Sequence, residues 1–178
     1  MRIIPGVVLL LFLILPAPAA SQSFLVHGSA GPTMVDPGHS IAVGAGFSPA
    51  SHVTLLFEVE RTHLSSRVRS DGRGGGSAFR GGTMTMGAAE LRVTVFSRDR
   101  ITPYGLAGFG AGVSRPNVNE IFPEPRTNDV RAIFFGGGIQ VPLRQQLSIF
   151  ADARMMVGGE AGELLAVAPL RAGLAWRF

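Results

Sequence analysis

Apolar and polar residues alternate with a period of two through much of this chain. Val53, Leu55, Phe57 and Val59 share one parity, and Thr54, Leu56, Glu58 and Glu60 share the other. Ala89, Leu91, Val93 and Val95 oppose Glu90, Arg92 and Thr94. Further on, Leu147, Ile149, Ala151, Ala153, Met155 and Val157 oppose Ser148, Phe150, Asp152 and Arg154. In the last segment Ala168, Leu170, Ala172, Leu174, Trp176 and Phe178 oppose Arg171, Gly173, Ala175 and Arg177. A period of two puts each set on one face of a strand. Blocks of this kind, bounded by turn residues, predict eight strands: Phe24–Gly31, Ser40–Phe47, His52–Leu64, Thr83–Phe96, Ile101–Ser114, Val130–Pro142, Gln146–Val157 and Leu165–Phe178. The later ones exceed the five or six residues of an ordinary strand. They match the ~9–11 residues with which a tilted strand crosses a bilayer.

The predicted links alternate in length. Ser48–Ser51, Ser97–Arg100 and Leu143–Gln145 are tight turns, whereas Pro32–His39, Ser65–Gly82, Arg115–Asp129 and Gly158–Leu164 are longer. Short periplasmic turns alternating with longer external loops, on an even number of strands, are the pattern of an outer-membrane barrel. In that setting the apolar face meets lipid and the charged face lines the lumen. The start of the chain fits export. Arg2 precedes the apolar run Val7–Leu15, and Pro16, Ala17, Pro18, Ala19 and Ala20 follow. A basic start, a short apolar stretch and small residues predict a cleaved signal peptide over 1–21, leaving 22–178 as the barrel domain. A membrane anchor would need roughly 20 apolar residues, and Pro16 and Pro18 interrupt the run.

Composition narrows the function classes. Of 178 residues 46% are hydrophobic and only 16% charged, against a usual quarter; mean hydropathy is +0.31. With no cysteine, disulfides and thiolate metal sites are excluded. The 24 glycines and 12 prolines exclude a helical bundle. Every one of the 16 basic residues is arginine, so the high isoelectric point reflects the lack of lysine; the net charge is +4. A nucleic-acid binder would carry a denser basic patch.

The stretches "SIAVGAGF" (Ser40–Phe47), "PYGLAGFGAG" (Pro103–Gly112), "GGGIQVP" (Gly136–Pro142) and "LRAGLAWRF" (Leu170–Phe178) resemble the small eight-stranded outer-membrane barrels of the OmpA/OmpX kind. That resemblance implies an all-β, antiparallel, up-and-down transmembrane barrel, monomeric and without cofactor, in the outer membrane. It implies outer-membrane lipid and lipopolysaccharide as partners. It implies too that Leu174, Trp176 and Phe178 signal to the barrel-assembly machinery. The chain departs from the pattern in having one tyrosine and one tryptophan, and no peptidoglycan-binding module is expected after Phe178. Phe47, Tyr104, Trp176 and Phe178 fall at the periplasmic strand ends and suggest an aromatic girdle, although strict alternation turns Tyr104 inward.

The candidate chemistry lies in the lumen and the loops. Glu58, Glu60, Glu90, Arg92, Asp152, Arg154, Arg171 and Arg177 have inward parity, four acids against four arginines. Buried charges must pair, so this set reads as a structural ion-pair plug rather than a proton path or a catalytic carboxylate pair. Arg67, Arg69, Arg73 and Arg80, against Asp71 alone, give the longest loop a surplus of forks suited to lipopolysaccharide phosphate. Gly72–Gly76 lacks the Lys-Ser/Thr ending of a phosphate-binding loop, and Gly108, Gly110 and Gly112 make room for large lumen side chains. His63-Leu64-Ser65 is similar to the His-x-Ser spacing of lipid A deacylases, which makes an outer-membrane lipid A-modifying enzyme the alternative reading. That motif has an acidic partner about a dozen residues later on the next strand, whereas positions 70 to 80 here offer only Asp71, in a loop. His27, His39 and His52 read as surface or interfacial residues, and the spacing of the four histidines suggests no metal site. A soluble secreted barrel binding a small ligand is a third reading.

Overall fold

The computed structural model describes residues 23–34, 37–70, 76–79, 81–96, 101–118, 124–160 and 163–178. They form strands and connecting turns: β1 (Ser23–Thr33), β2 (Gly38–Ala50), β3 (Val53–Leu64), β4 (Arg67–Ser70), β5 (Gly76–Phe79), β6 (Gly82–Thr94), β7 (Thr102–Pro116), β8 (Asn128–Pro142), β9 (Leu147–Glu160), β10 (Glu163–Val167) and β11 (Leu170–Arg177). The expected signal peptide lies outside the described residues.

Every neighbouring pair in the main sheet is antiparallel, and β1 pairs with β11 to close it. β10 and β11 are one strand. Val167 faces Met156 and Leu170 faces Ala153 without any register shift. The ladder breaks only at Pro169, which has no N–H to give; its carbonyl still accepts from Arg154 N at 3.1 Å. Eight strands therefore close the barrel, as the alternation predicts. The register also fixes its stagger. Cross-strand partners run Val167, Met156, Phe134, Gly108, Glu90, Leu56, Gly46, Leu25 and Arg177. One circuit thus returns to the same strand ten residues further along. Strand number and shear together set tilt and diameter, and eight strands leave an interior that side chains fill.

Two of the long links shrink. β1 and β2 are joined by 34–37, and β9 and β10 by 161–162, because both hairpins keep pairing beyond the predicted ends. The links 65–81 and 117–127 remain long, and the first carries its own two-stranded sheet, β4 with β5. Gly81, in the left-handed region at φ 62°, returns this excursion to β6. At the opposite end the β2–β3 register shifts between Phe47 and Ala50, and the Ser48 and Thr54 hydroxyls meet at 2.9 Å across the bulge.

The two faces of the wall are sharply different. Outside, Phe109, Ile133 and Val43 are 67%, 62% and 60% exposed, and exposed apolar residues occur on every strand of the barrel wall. In water such a surface would be untenable for a monomer; in hydrocarbon it is the favourable one. No helix among the described residues is long and apolar enough to cross a membrane. Inside, one apolar cluster is Leu25, Leu56, Phe150 and Ala175. A larger one includes Leu64, Met84, Met86, Val130, Phe134, Met156 and Val167. The charged residues fill the lumen alongside them.

Candidate functional site

Seven of the eight charged residues with inward parity meet inside the barrel, each 1–6% exposed. They come from strands far apart in sequence. Glu58 and Glu60 project from β3, Glu90 and Arg92 from β6, Asp152 and Arg154 from β9, and Arg171 from β11. Alternation turns each pair i, i+2 to the same side, and closure points the strands at one another.

Arg154 is the hub. Its Nη1 donates to Glu58 Oε1 at 2.7 Å, its Nη2 lies 2.6 Å from Glu90 Oε2, and its Nε donates to Asp152 Oδ1 at 3.3 Å. Arg171 grips its cross-strand neighbour Asp152 through two bonds, Nε to Oδ1 at 3.1 Å and Nη2 to Oδ2 at 3.2 Å. Its Nη1 reaches Glu58 at 3.2 Å and Glu60 at 3.5 Å. Arg92 donates from Nε to Glu90 Oε1, and its Nη2 lies 3.8 Å from Asp152. The fork geometry of the guanidinium lets three arginines serve four carboxylates.

Polar and aromatic side chains complete the network. Thr62 Oγ1 donates to Glu60 at 3.0 Å, and Tyr104 OH donates to Asp152 Oδ2 at 3.2 Å. The Arg92 guanidinium sits 4.8 Å from the centre of the Tyr104 ring and 5.1 Å from that of Phe150, and Arg154 sits 5.2 Å from Phe134. Such contacts favour a desolvated cation. The glycines supply the space. A Cβ at Gly108 would meet the Phe134 ring at 2.5 Å, and one at Gly110 would meet Met86 Sδ at 2.7 Å.

Two expectations are corrected here. Tyr104 is a lumen residue and no part of a girdle, as its parity requires. The aromatic outer surface at that end is instead made by Phe24, Phe47, Phe96, Trp176 and Phe178, with Phe24 paired to Phe47. His27, read as a surface or interfacial residue, is buried in the lumen with Nε2 3.5 Å from Glu58 Oε2 and its ring edge-on to Phe150. Parity along β1 turns Leu25, His27 and Ser29 all inward.

Arg177 stands apart from the network. It has the right parity but lies at the end of β11, exposed. The cluster therefore sets four carboxylates against three arginines, with His27 beside it. In the loop, Arg67 and Arg69 lie on β4, opposite Phe79 and Ser77 of β5; Arg73, Arg80 and Asp71 lie outside the described residues. Leu174, Trp176 and Phe178 all point outward, 54%, 41% and 69% exposed. His63 has Thr83 and His39 beside it rather than a carboxylate. Ser65 is exposed, its N–H donating to Pro37 O. Among the described residues no three His, Asp or Glu side chains group as metal ligands do.

No family model and no curated protein sequence matches the chain. Solved structures do. The chain aligns with Neisserial surface protein A at a TM-score of 0.66, with 11% identity over 88% of this chain and 97% of that one. This is the fold of the small outer-membrane barrels. Ail, the attachment invasion locus protein of Yersinia pestis, solved with the heparin analogue sucrose octasulfate, aligns at a TM-score of 0.53, with 14% identity over 88% of this chain and 98% of Ail. A major outer membrane protein of Thermus thermophilus aligns at 0.51, with 17% identity over 89% of this chain and all of its own. At such identities the likeness concerns the barrel and its closure, which reach across nearly the whole described chain.

Proposed function

We propose that the protein is a non-porin outer-membrane barrel. On this reading it contributes to envelope integrity and contacts lipopolysaccharide or a surface partner through its external end, with no catalytic role. One observation carries the reading. The wall is apolar outside, while the lumen is packed with buried side chains, three arginines locked to four carboxylates beside two apolar clusters. A network so desolvated holds opposite walls together and leaves no wet path for a solute. Sucrose octasulfate in the Ail structure supports polyanion contact as a role available to this architecture.

The rim beyond the apolar band supports lipid-phosphate contact. Arg61 of β3, Arg115 of β7 and Arg131 of β8 point outward and are exposed. Among the described residues none of the three has a carboxylate within ion-pair distance. Together with the four arginines between Ser65 and Gly82, they would present guanidinium forks where lipid A phosphates lie. The long links would then be external, the termini periplasmic, and residues 1–21 a cleaved signal peptide. Leu174, Trp176 and Phe178, on the outward face of the last strand, would be read by the assembly machinery.

The test is membrane fractionation followed by gel mobility of boiled against unboiled protein, and then single-channel recording in planar bilayers. Expected are outer-membrane recovery, a heat-dependent shift and no stable conductance steps. Recovery in the soluble fraction without a shift overturns the membrane reading, and reproducible open channels overturn the sealed lumen.

A further inference from the structure

We propose that His39 and His63 form a two-imidazole site for a borderline divalent transition-metal ion, with copper(II) bound most tightly and nickel(II) and zinc(II) less so. The two residues are 24 positions apart in sequence, but the β2–β3 register sets them directly opposite each other. Both point to the outside of the barrel, one pair from the open end of that ladder. His39 is exposed and His63 half-buried. Their ring centroids lie 5.3 Å apart with the planes tilted by 41°.

That separation is what chelation needs. A metal ion held at ~2.1 Å by one nitrogen of each ring, at an angle near tetrahedral or square, places the centroids about 5 Å apart. The site therefore requires turns about the side-chain bonds and no movement of the backbone. One ring is already oriented. His63 Nδ1 lies 3.4 Å from Thr83 Oγ1 on the neighbouring strand. With its proton on Nδ1 and shared with that hydroxyl, His63 presents Nε2 as a free lone pair; such an outer hydrogen bond commonly fixes the tautomer of a metal-binding histidine. Among the described residues no carboxylate joins the pair, so the hard ions calcium and magnesium are poor candidates. Imidazole donors and the usual affinity order among divalent ions put copper(II) first. Water would complete the coordination, the site being open to solvent on the side of His39.

The experiment uses untagged, folded barrel in detergent, titrated with copper(II) alone, by calorimetry and by electron paramagnetic resonance. Expected is one copper per barrel with two imidazole nitrogens in its signal. His39→Asn and His63→Asn should each weaken binding about tenfold or more, while His52→Asn, at the opposite end of the barrel, should leave it unchanged. A second measurement needs no variant. In the wild-type protein, bound copper should protect His39 and His63, but not His52, from acylation by diethyl pyrocarbonate, read by peptide mass spectrometry. The proposal falls if the wild type shows no saturable binding below 1 mM copper, if binding survives both asparagine changes, or if protection at His39 and His63 is no greater than at His52.

Discussion

The unequal charge count in the lumen makes an asymmetric prediction. Arg154 touches Glu58, Glu90 and Asp152 at 2.6–3.3 Å, and its side chain is almost wholly buried. Arg154→Leu keeps much of the volume and leaves four carboxylates facing two arginines. Stripping one partner from a buried ion pair costs about 3–5 kcal/mol, because the orphaned charge stays in a medium that cannot solvate it. Glu60→Gln should behave differently. Glu60 has a single ion pair, to Arg171 at 3.5 Å, and a hydrogen bond from Thr62 that an amide oxygen can accept equally well. Its neutralisation leaves three carboxylates for three arginines and keeps the Thr62 hydrogen bond, with an expected cost of about 1 kcal/mol.

The assay is reversible urea unfolding in lipid vesicles. The single tryptophan, Trp176, reports it, since it sits on the outer wall and passes from lipid to water on unfolding. A double change sharpens the test. Glu58→Gln added to Arg154→Leu removes one of the stranded carboxylates and should recover about 1–2 kcal/mol relative to additivity. The reasoning is refuted if Arg154→Leu lies within about 1 kcal/mol of the wild type. It is equally refuted if Glu60→Gln proves as damaging as Arg154→Leu.

Three further outcomes follow from the same geometry. Phe109→Arg, on the outer wall at 67% exposure, should destabilise the barrel in bilayers by about 2–4 kcal/mol if that position lies near mid-membrane; folded yield and urea midpoint in vesicles check it. Gly108→Val should cost about 1–3 kcal/mol through overpacking against the Ala89 carbonyl oxygen and the Phe134 ring, whereas Gly105→Val, with nothing within 4 Å of its Cβ position, should leave the same unfolding midpoint nearly unmoved. Removing Phe178 should lower the amount of heat-shifted barrel in the outer membrane while its in vitro folding in detergent persists; unchanged cellular levels would count against an assembly role for this end of the strand.

Parity along a strand is a local property, and it was legible. The side toward which Glu58, Glu90, Asp152 and Arg171 point follows from their immediate neighbours, because side chains alternate strictly. Depth within the barrel is not local. Arg177 and Arg171 share a parity, yet Arg171 lies in the network and Arg177 in solvent, since their heights differ by the rise of six residues along one strand. Link lengths were hidden for a similar reason. Backbone pairing continues through Pro32 and Thr33 opposite His39 and Gly38, residues whose side chains read as a loop but whose peptide groups complete the hairpin. Pro169 falls inside the predicted strand Leu165–Phe178, and its missing N–H interrupts the ladder without disturbing the register around it.

Register is the quantity that sequence patterning leaves open, and the outer face of β2 and β3 shows what it decides. The bulge between Phe47 and Ala50 sets which residues of β2 oppose those of β3. With it, His39 faces His63 on the outside wall. A slip of one residue would set His39 against Thr62 or Leu64, both of which are buried in the lumen, and would carry one whole strand to the wrong face. A slip of two would keep the faces and separate the histidines, setting His39 opposite Arg61 or Ser65. The apolar pattern alone excludes the first slip and tolerates the second. The pairing of the two imidazoles, like the meeting of Arg154 with Glu58 across the lumen, therefore depends on the turn geometry and on the ten-residue stagger with which the barrel closes.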